Sequence, residues 1–118
     1  MPSLRTLEGK KKFQDYKKSI ISSDRCVLCD KPVLKGFKYW QIVKNDFPYD
    51  QVAEIHHMFV PIRHVVVDGL NEAELGEMRT IREGYINDNY DYMIEATHKN
   101  KSVPDHFHLH LILAKPEF

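Results

Sequence analysis

The chain has 118 residues, with 17 Lys+Arg balanced by 17 Asp+Glu, so its formal net charge is zero with histidine neutral. That length suits one domain with a real core, and the charge balance excludes wholesale electrostatic capture of nucleic acid or of an anionic membrane. No apolar run is long enough for a transmembrane helix or a secretory signal core, which points to a soluble, cytoplasmic protein.

Residues 4–22 set Leu4, Leu7, Phe13, Tyr16 and Ile20 at roughly helical spacing, with the lysines as the solvated face, although Gly9 weakens the pattern. Cys26 and Cys29, the only cysteines, follow in "CVLC". A C-x-x-C in a reducing compartment is a metal knuckle, a redox pair or two bland buried thiols. A redox pair usually opens a helix whose N-terminus lowers the thiol pKa. Pro32 and Gly36 in "DKPVLKG" fit a turn instead, which favours the metal reading.

"KYWQIVKN" (38–45) has the aromatic and β-branched content of a strand. "DFPYD" interrupts it, because Pro48 cannot sit in a central ladder. "EIHHMFVPI" (54–62) reads as the second strand of a hairpin or meander around a loop at 46–53. After "RHVVVDG", Asn71 stands three residues before Glu74, a capping-box start. Leu75, Met78, Ile81, Arg82 and Tyr85 then make a helical stripe from about 72 to 87. "YDYMIEAT" (90–97) is a further strand, "HKNKSVPD" a polar turn, and "HFHLHLILA" the last strand. The sum is a single α+β domain over 1–118 with a mainly antiparallel sheet, one main helix and an additional N-terminal helix.

The last strand carries the chemistry. Residues i, i+2 and i+4 of a strand share a face, so His106, His108 and His110 line one side while Phe107, Leu109 and Leu111 line the other. Three aligned imidazoles can serve as metal ligands, or divide into nucleophile, acid/base and anion-holding donor. The plain alternative is an amphipathic strand whose polar face happens to be histidine.

"HFHLHLI" resembles the signature of the histidine triad (HIT) superfamily, His-φ-His-φ-His-φ-φ with φ apolar. "HHMFVPIRHVVVDGLNEAEL" (56–75) is similar to that family's central stretch, a strand running into P-x-x-H and then a helix. "KNDFPYD" (44–50) resembles its nucleoside-contacting strand end, particularly the "NDF" of the galactose-1-phosphate uridylyltransferase branch. "CVLC" is similar to the zinc knuckle of several branches. The resemblance spans residues 26–113 as the core and leaves 1–25 as an N-terminal helical extension.

The resemblance implies a hydrolase or nucleotidyltransferase that acts at the α-phosphate of a nucleoside phosphate ester, anhydride or phosphoramidate. It makes His108 the nucleophile, through a covalent nucleotidyl-histidine, and His110 a donor to an α-phosphate oxygen. His56 matches an upstream histidine that joins the site, and register favours it over His57. In the zinc-bearing branches the metal ligands correspond to Cys26, Cys29, His64 and His106, a closed Cys₂His₂ set of the structural kind. The chain departs from the family where many members carry a Gly-rich N-x-G…G-Q-S-V loop. "THKNKSVPDH" lacks the Gly-Gln, which leaves Ser102, Lys101 or neither to meet the leaving group.

Asn45 and Asp46 are candidates for the ribose hydroxyls, and Phe47, Tyr39 and Trp40 for an apolar wall at the base, although strand aromatics equally read as core. The implied partner is a nucleotide or nucleotide conjugate, with a possible homodimer and without a membrane or a strong nucleic-acid signal. Two other readings stay open: a nucleotide- or partner-binding protein with weak or no catalysis, and a metal protein whose ion sits on the histidine row itself.

Overall fold

The computed structural model describes residues 4–19, 26–97 and 105–117. The elements are α1 (Leu7–Ser19), β1 (Val33–Gly36), β2 (Trp40–Lys44), β3 (Ala53–Pro61), α2 (Glu72–Ile81), β4 (Tyr92–Ile94) and β5 (Leu109–Ala114). The helix α2 runs on through one π-helical turn (Arg82–Ile86) into Asn87–Asn89. The five strands form one sheet in the order β1-β2-β3-β5-β4, and every neighbouring pair is antiparallel. The α+β class with a main helix and an N-terminal helix is therefore borne out. No described helix is long and apolar enough to cross a membrane.

Side-chain alternation gives this sheet two distinct faces. Trp40, Ile42, Phe59, Leu109 and Leu111 point to one face, where Ile81 and Ile86 from α2 and its π turn join them with Phe107 in the main core. Trp40 is fully buried, its ring 4.4 Å from that of Phe59, and its indole N–H donates to the Glu74 carbonyl at 2.8 Å. It is core, and it is closed off from any base. On the opposite face Val43, Met58 and Val60 pack with Leu28 from the cysteine turn. The same face carries His56 and His110, because Met58 pairs with His110 and His56 with Ile112 across β3 and β5. The helix therefore covers one face, and the histidines occupy the other.

Several expectations need correction. "VLKG" is not a turn but the edge strand β1, exposed along its whole length. An edge strand tolerates Pro32 just before it and a glycine at its end, because its outer side pairs with nothing. Leu75 does not cover the sheet: it is 42% exposed, and the packing stripe consists of Met78, Ile81, Tyr85 and Ile86. The last strand starts at Leu109 rather than His106. Pro61, at the end of β3, has no N–H to extend the ladder, and its carbonyl oxygen is taken by the His106 ring.

The Asn71–Glu74 capping box is present, with the Asn71 side chain accepting from the Glu74 N–H and the Glu74 carboxylate accepting from the Asn71 N–H. Glu74 is buried and paired with Arg63, whose Nε and NH2 donate to its two carboxylate oxygens at 3.0 and 2.7 Å. That pair ties the segment carrying His64 to the start of α2.

The helix α1 lies against the 46–53 loop. The Thr6 N–H and hydroxyl each donate to the Asp50 carboxylate at 2.7 Å, and the Gly9 N–H donates to the Thr6 hydroxyl at 3.1 Å. A Cβ at Gly9 would sit 2.6 Å from Asp50 Oδ2, so the residue that weakens the helical pattern is the one that permits this approach. Further along α1, Phe13 and Tyr16 place their rings 5.5 and 4.6 Å from that of Phe47.

Candidate active site and metal cluster

Cys26 and Cys29 sit in a tight turn closed by the Cys29 N–H donating to the Cys26 carbonyl at 3.2 Å. Leu28, inserted between them and the sheet, anchors that turn on Val43, Met58 and Val60. The turn faces His64, just beyond β3, and His106, just before β5. Ligand atoms of Cys26, Cys29, His64 and His106 all lie within 4.8 Å of one another, a set that could hold a metal ion. Cys26 Sγ is 3.4 Å from His106 Nδ1, and Cys29 Sγ is 3.5 Å from the same nitrogen and 3.4 Å from His64 Nδ1. His106 Nε2–H donates to the Pro61 carbonyl at 2.9 Å. In the neutral ring this leaves the Nδ1 lone pair directed at the thiols, the arrangement a metal-ligating histidine needs.

The next histidine is fixed by the one before it. His108 Nδ1–H donates to the carbonyl oxygen of His106 at 3.0 Å, so its neutral ring carries the reactive lone pair on Nε2. His108 and His110 meet edge to face, ring centroids 5.2 Å apart. His57, by contrast, points to the helix face, where its Nδ1 lies 2.7 Å from the Tyr90 hydroxyl oxygen.

His56 and His110 form a buried pair, His56 Nε2 lying 2.8 Å from His110 Nδ1. Donor bookkeeping fixes both tautomers. The Tyr49 backbone N–H can only donate, and it donates to His56 Nδ1 at 2.9 Å. A neutral His56 must then carry its proton on Nε2 and give it to His110 Nδ1. His110 in turn carries its proton on Nε2, which faces the Tyr49 hydroxyl oxygen at 3.2 Å. Asn45 Nδ2, 3.3 Å from His56 Nε2, meets an N–H rather than a lone pair and is a close contact, not a hydrogen bond.

Burial, with the Arg5 charge and neighbouring histidines adding to it, pushes both His56 and His110 down to about 3 from an ordinary 6.5. The unfolded chain therefore binds protons between pH 6.5 and 3 that the folded chain refuses. The stability contributed by these neutral rings is complete above pH 6.5 and is lost as pH falls towards 3. Urea unfolding from pH 7 to pH 5 should show stability falling by up to about 1.4 kcal/mol per pH unit for each group. A His56→Gln/His110→Gln variant should show a correspondingly shallower slope. An unchanged slope would mean that the rings are charged in the folded protein.

Of the residues expected at the substrate, Asn45 is buried, and its Oδ1 accepts from the Phe47 N–H at 2.7 Å, so it shapes the turn after β2. Asp46 is exposed and paired with Lys31. Asn45, Asp46 and Phe47 line a cleft of about 70 Å³ that Arg5, Phe13, Tyr16 and Lys17 close from the α1 side. Ser102 and Lys101 lie outside the described residues. Sequence reasoning did not pick out Tyr49 or Arg5. Arg5 Nε donates to the Phe47 carbonyl at 2.9 Å, and its guanidinium lies 4.1 Å from the Phe13 ring centroid and 4.8 Å from that of Tyr49. The available signal was the loop itself, since a tyrosine seven residues before His56 can fold back on it across a turn.

Searched against solved structures, the chain is similar to a HIT family hydrolase from Clostridium thermocellum, with TM-score 0.56 at 16% identity over 82% of this chain and 96% of that one. The fold is that of the histidine triad proteins. A HIT family hydrolase from Legionella pneumophila Philadelphia 1 has TM-score 0.53 at 19% identity, covering 75% of this chain and 91% of that one. A histidine triad protein from Clostridium difficile has TM-score 0.52 at 20% identity, covering 79% and 92% respectively. No family model and no curated protein matches the sequence. On this HIT fold the three histidines of the row are not equivalent: His106 turns to the cysteines, while His108 and His110 are buried against each other.

Proposed function

We propose that this protein is a nucleotide hydrolase or nucleotidyltransferase that attacks the α-phosphorus of a nucleoside phosphate ester, anhydride or phosphoramidate with His108. The observation that carries this reading is the 3.0 Å hydrogen bond from His108 Nδ1–H to the His106 carbonyl. It holds the ring in the tautomer whose Nε2 is the nucleophile, so no proton has to leave before attack. Nε2 forms a bond to phosphorus as the bond to the leaving group breaks. The resulting phosphoramidate is then resolved by water or another acceptor.

The neutral pair His56–His110 stands beside the nucleophile. Because burial keeps both rings uncharged, they add no positive charge to the site. The cleft lined by Asn45, Asp46 and Phe47 is the candidate nucleoside site, and the exposed Asp46 carboxylate is the candidate for the ribose hydroxyls. At about 70 Å³ it is smaller than typical small-molecule sites of roughly 300–1,000 Å³, so α1 has to yield for a nucleoside to enter.

The cysteine–histidine cluster fits zinc. Zinc bonds of about 2.3 Å to sulfur and 2.05 Å to nitrogen, spread tetrahedrally, separate a sulfur from a nitrogen by about 3.5 Å. Three of the four sulfur–nitrogen distances here are 3.4, 3.5 and 3.4 Å, and all four ligand atoms lie within 4.8 Å of one another. Two soft thiolates with two imidazoles form the donor set zinc prefers. Bound there, zinc would cross-link the cysteine turn to the segments before β5 and after β3. Four protein ligands leave it no open position, so its part is structural.

The test is direct. Mixing the protein with a nucleoside phosphoramidate or an aryl ester of a nucleoside monophosphate, then quenching in base, should give an intact mass raised by one nucleotidyl group located on His108. Turnover without an adduct on His108 would remove the covalent route. Tight nucleotide binding with neither adduct nor turnover would establish the binding-protein reading instead.

A further inference from the structure

We propose that the cysteine turn is the fixed wall of the nucleoside cleft, so that metal at the cluster and nucleoside in the cleft bind cooperatively, with Lys31 as the positioning residue that joins them. This rests on the readings above of the cleft as the nucleoside site and of the cluster as a zinc site.

The link lies in the order of residues along the turn. Val27 and Leu28 stand between the two cysteines and Lys31 stands two residues after Cys29, and all three line the cleft. Leu28 is fully buried against Val43, Met58 and Val60, and Met58 lines the cleft as well. The Lys31 side chain, 15% exposed, reaches from the turn to the Asp46 carboxylate, the candidate for the ribose hydroxyls. Residues 26–31 therefore offer two sulfurs to a metal and three side chains to the cleft. A metal held by Cys26, Cys29, His64 and His106 would tie this stretch to the segments just beyond β3 and just before β5.

The opposite wall is held differently. Phe13 and Tyr16 of α1 meet Phe47 through ring contacts alone, and Thr6 and Asp50 fix the segment at its start. A cleft of about 70 Å³ has to widen for a nucleoside, and α1 is the side that gives. Base and ribose then meet a surface already formed on the turn side. A wall ordered before binding spares the ligand the cost of ordering it. Without metal the nucleoside has to order Val27, Leu28 and Lys31 itself, so the coupling is positive. Linkage makes it reciprocal: nucleoside tightens metal by the factor by which metal tightens nucleoside.

Calorimetry with the four common ribonucleosides on zinc-loaded and chelated protein tests this, the fluorescence of the buried Trp40 showing whether the chelated chain stays folded. The loaded protein should bind its preferred nucleoside about five- to a hundredfold more tightly. Saturating nucleoside should raise zinc affinity, read by equilibrium competition with a chromogenic chelator, by the same factor. Lys31→Met keeps all four metal ligands. It should hold wild-type zinc, bind nucleoside about three- to tenfold more weakly in the loaded state, and show a smaller coupling factor. Coupling that arose only from general stabilisation of the folded chain would keep its full size in this variant. Should chelation unfold the protein, the loaded variant and the zinc competition carry the test. Equal or tighter nucleoside binding by folded, zinc-free protein would overturn the proposal. So would a Lys31→Met variant with wild-type nucleoside affinity or undiminished coupling, or a wild type that holds no zinc. Loaded protein that takes up no nucleoside would overturn it together with the cleft reading, while the His108 adduct, assayed separately, reports on the chemistry.

Discussion

His108→Ala is expected to abolish the nucleotidyl adduct and slow turnover by at least about 10⁴-fold, because a covalent route loses its only nucleophile rather than one of several aids. The substitution removes a buried ring that donates to a backbone carbonyl and belongs to neither the metal cluster nor the His56–His110 chain. Bound metal per chain should therefore stay at the wild-type value, and the thermal midpoint should move by only a few degrees, the scale of a single core truncation. Metal analysis and melting of the same preparation separate chemistry from folding. A variant that turns substrate over at the wild-type rate would place the reaction elsewhere.

Loss of the metal should be the largest effect on stability. Cys26→Ser or Cys29→Ser removes one thiolate from a set whose four ligands come from three separated segments of the chain. Structural zinc contributes about 10–16 kcal/mol of apparent binding free energy in small peptides that do not fold without it. Here the sheet and the α2 core are built independently of the cluster, so the expected cost is smaller, several kcal/mol. It should fall first on the cysteine turn, which then keeps only the packing around Leu28 and the Lys31–Asp46 pair to hold it. Wild type should carry one zinc, melt at a lower temperature after chelation, and recover on adding zinc back. Each serine variant should melt like the chelated protein and ignore added zinc. Metal-free wild type that melts as high as the loaded protein would refute the structural role.

The parts of this molecule legible in sequence are those set by local periodicity and short spacing. The alternation in "HFHLHLI", the capping box at Asn71 and Glu74, and the break at Pro48 each follow from rules acting over a few residues. Four potential metal ligands were likewise readable, because C-x-x-C and the two histidines keep the spacing of a known pattern. What escaped depends on tertiary context. The edge strand β1 carries no alternation because neither of its faces is buried, and its flanking proline and glycine imitate a turn. Leu75 lies within the helical stripe by count, but the π turn at Arg82–Ile86 brings Ile86 to the core beside Ile81. Tyr49 is a loop residue in a stretch that reads as turn chemistry. Its place in the site comes from folding back on His56, which no periodicity records. Arg5 arrives from the segment just before α1, docked through Asp50, forty-five residues away in sequence.

His106 joins two systems through different parts of itself. Its ring nitrogens serve the cysteines and Pro61, while its main-chain oxygen orients the next histidine, His108. A side chain can be exchanged by mutation, but a peptide carbonyl cannot. The group that readies His108 is therefore present whatever residue occupies position 106, and only its aim can be lost. Drift at this position could strip a metal from the protein and still leave the neighbouring imidazole in its working tautomer, provided the backbone stayed where the strand puts it.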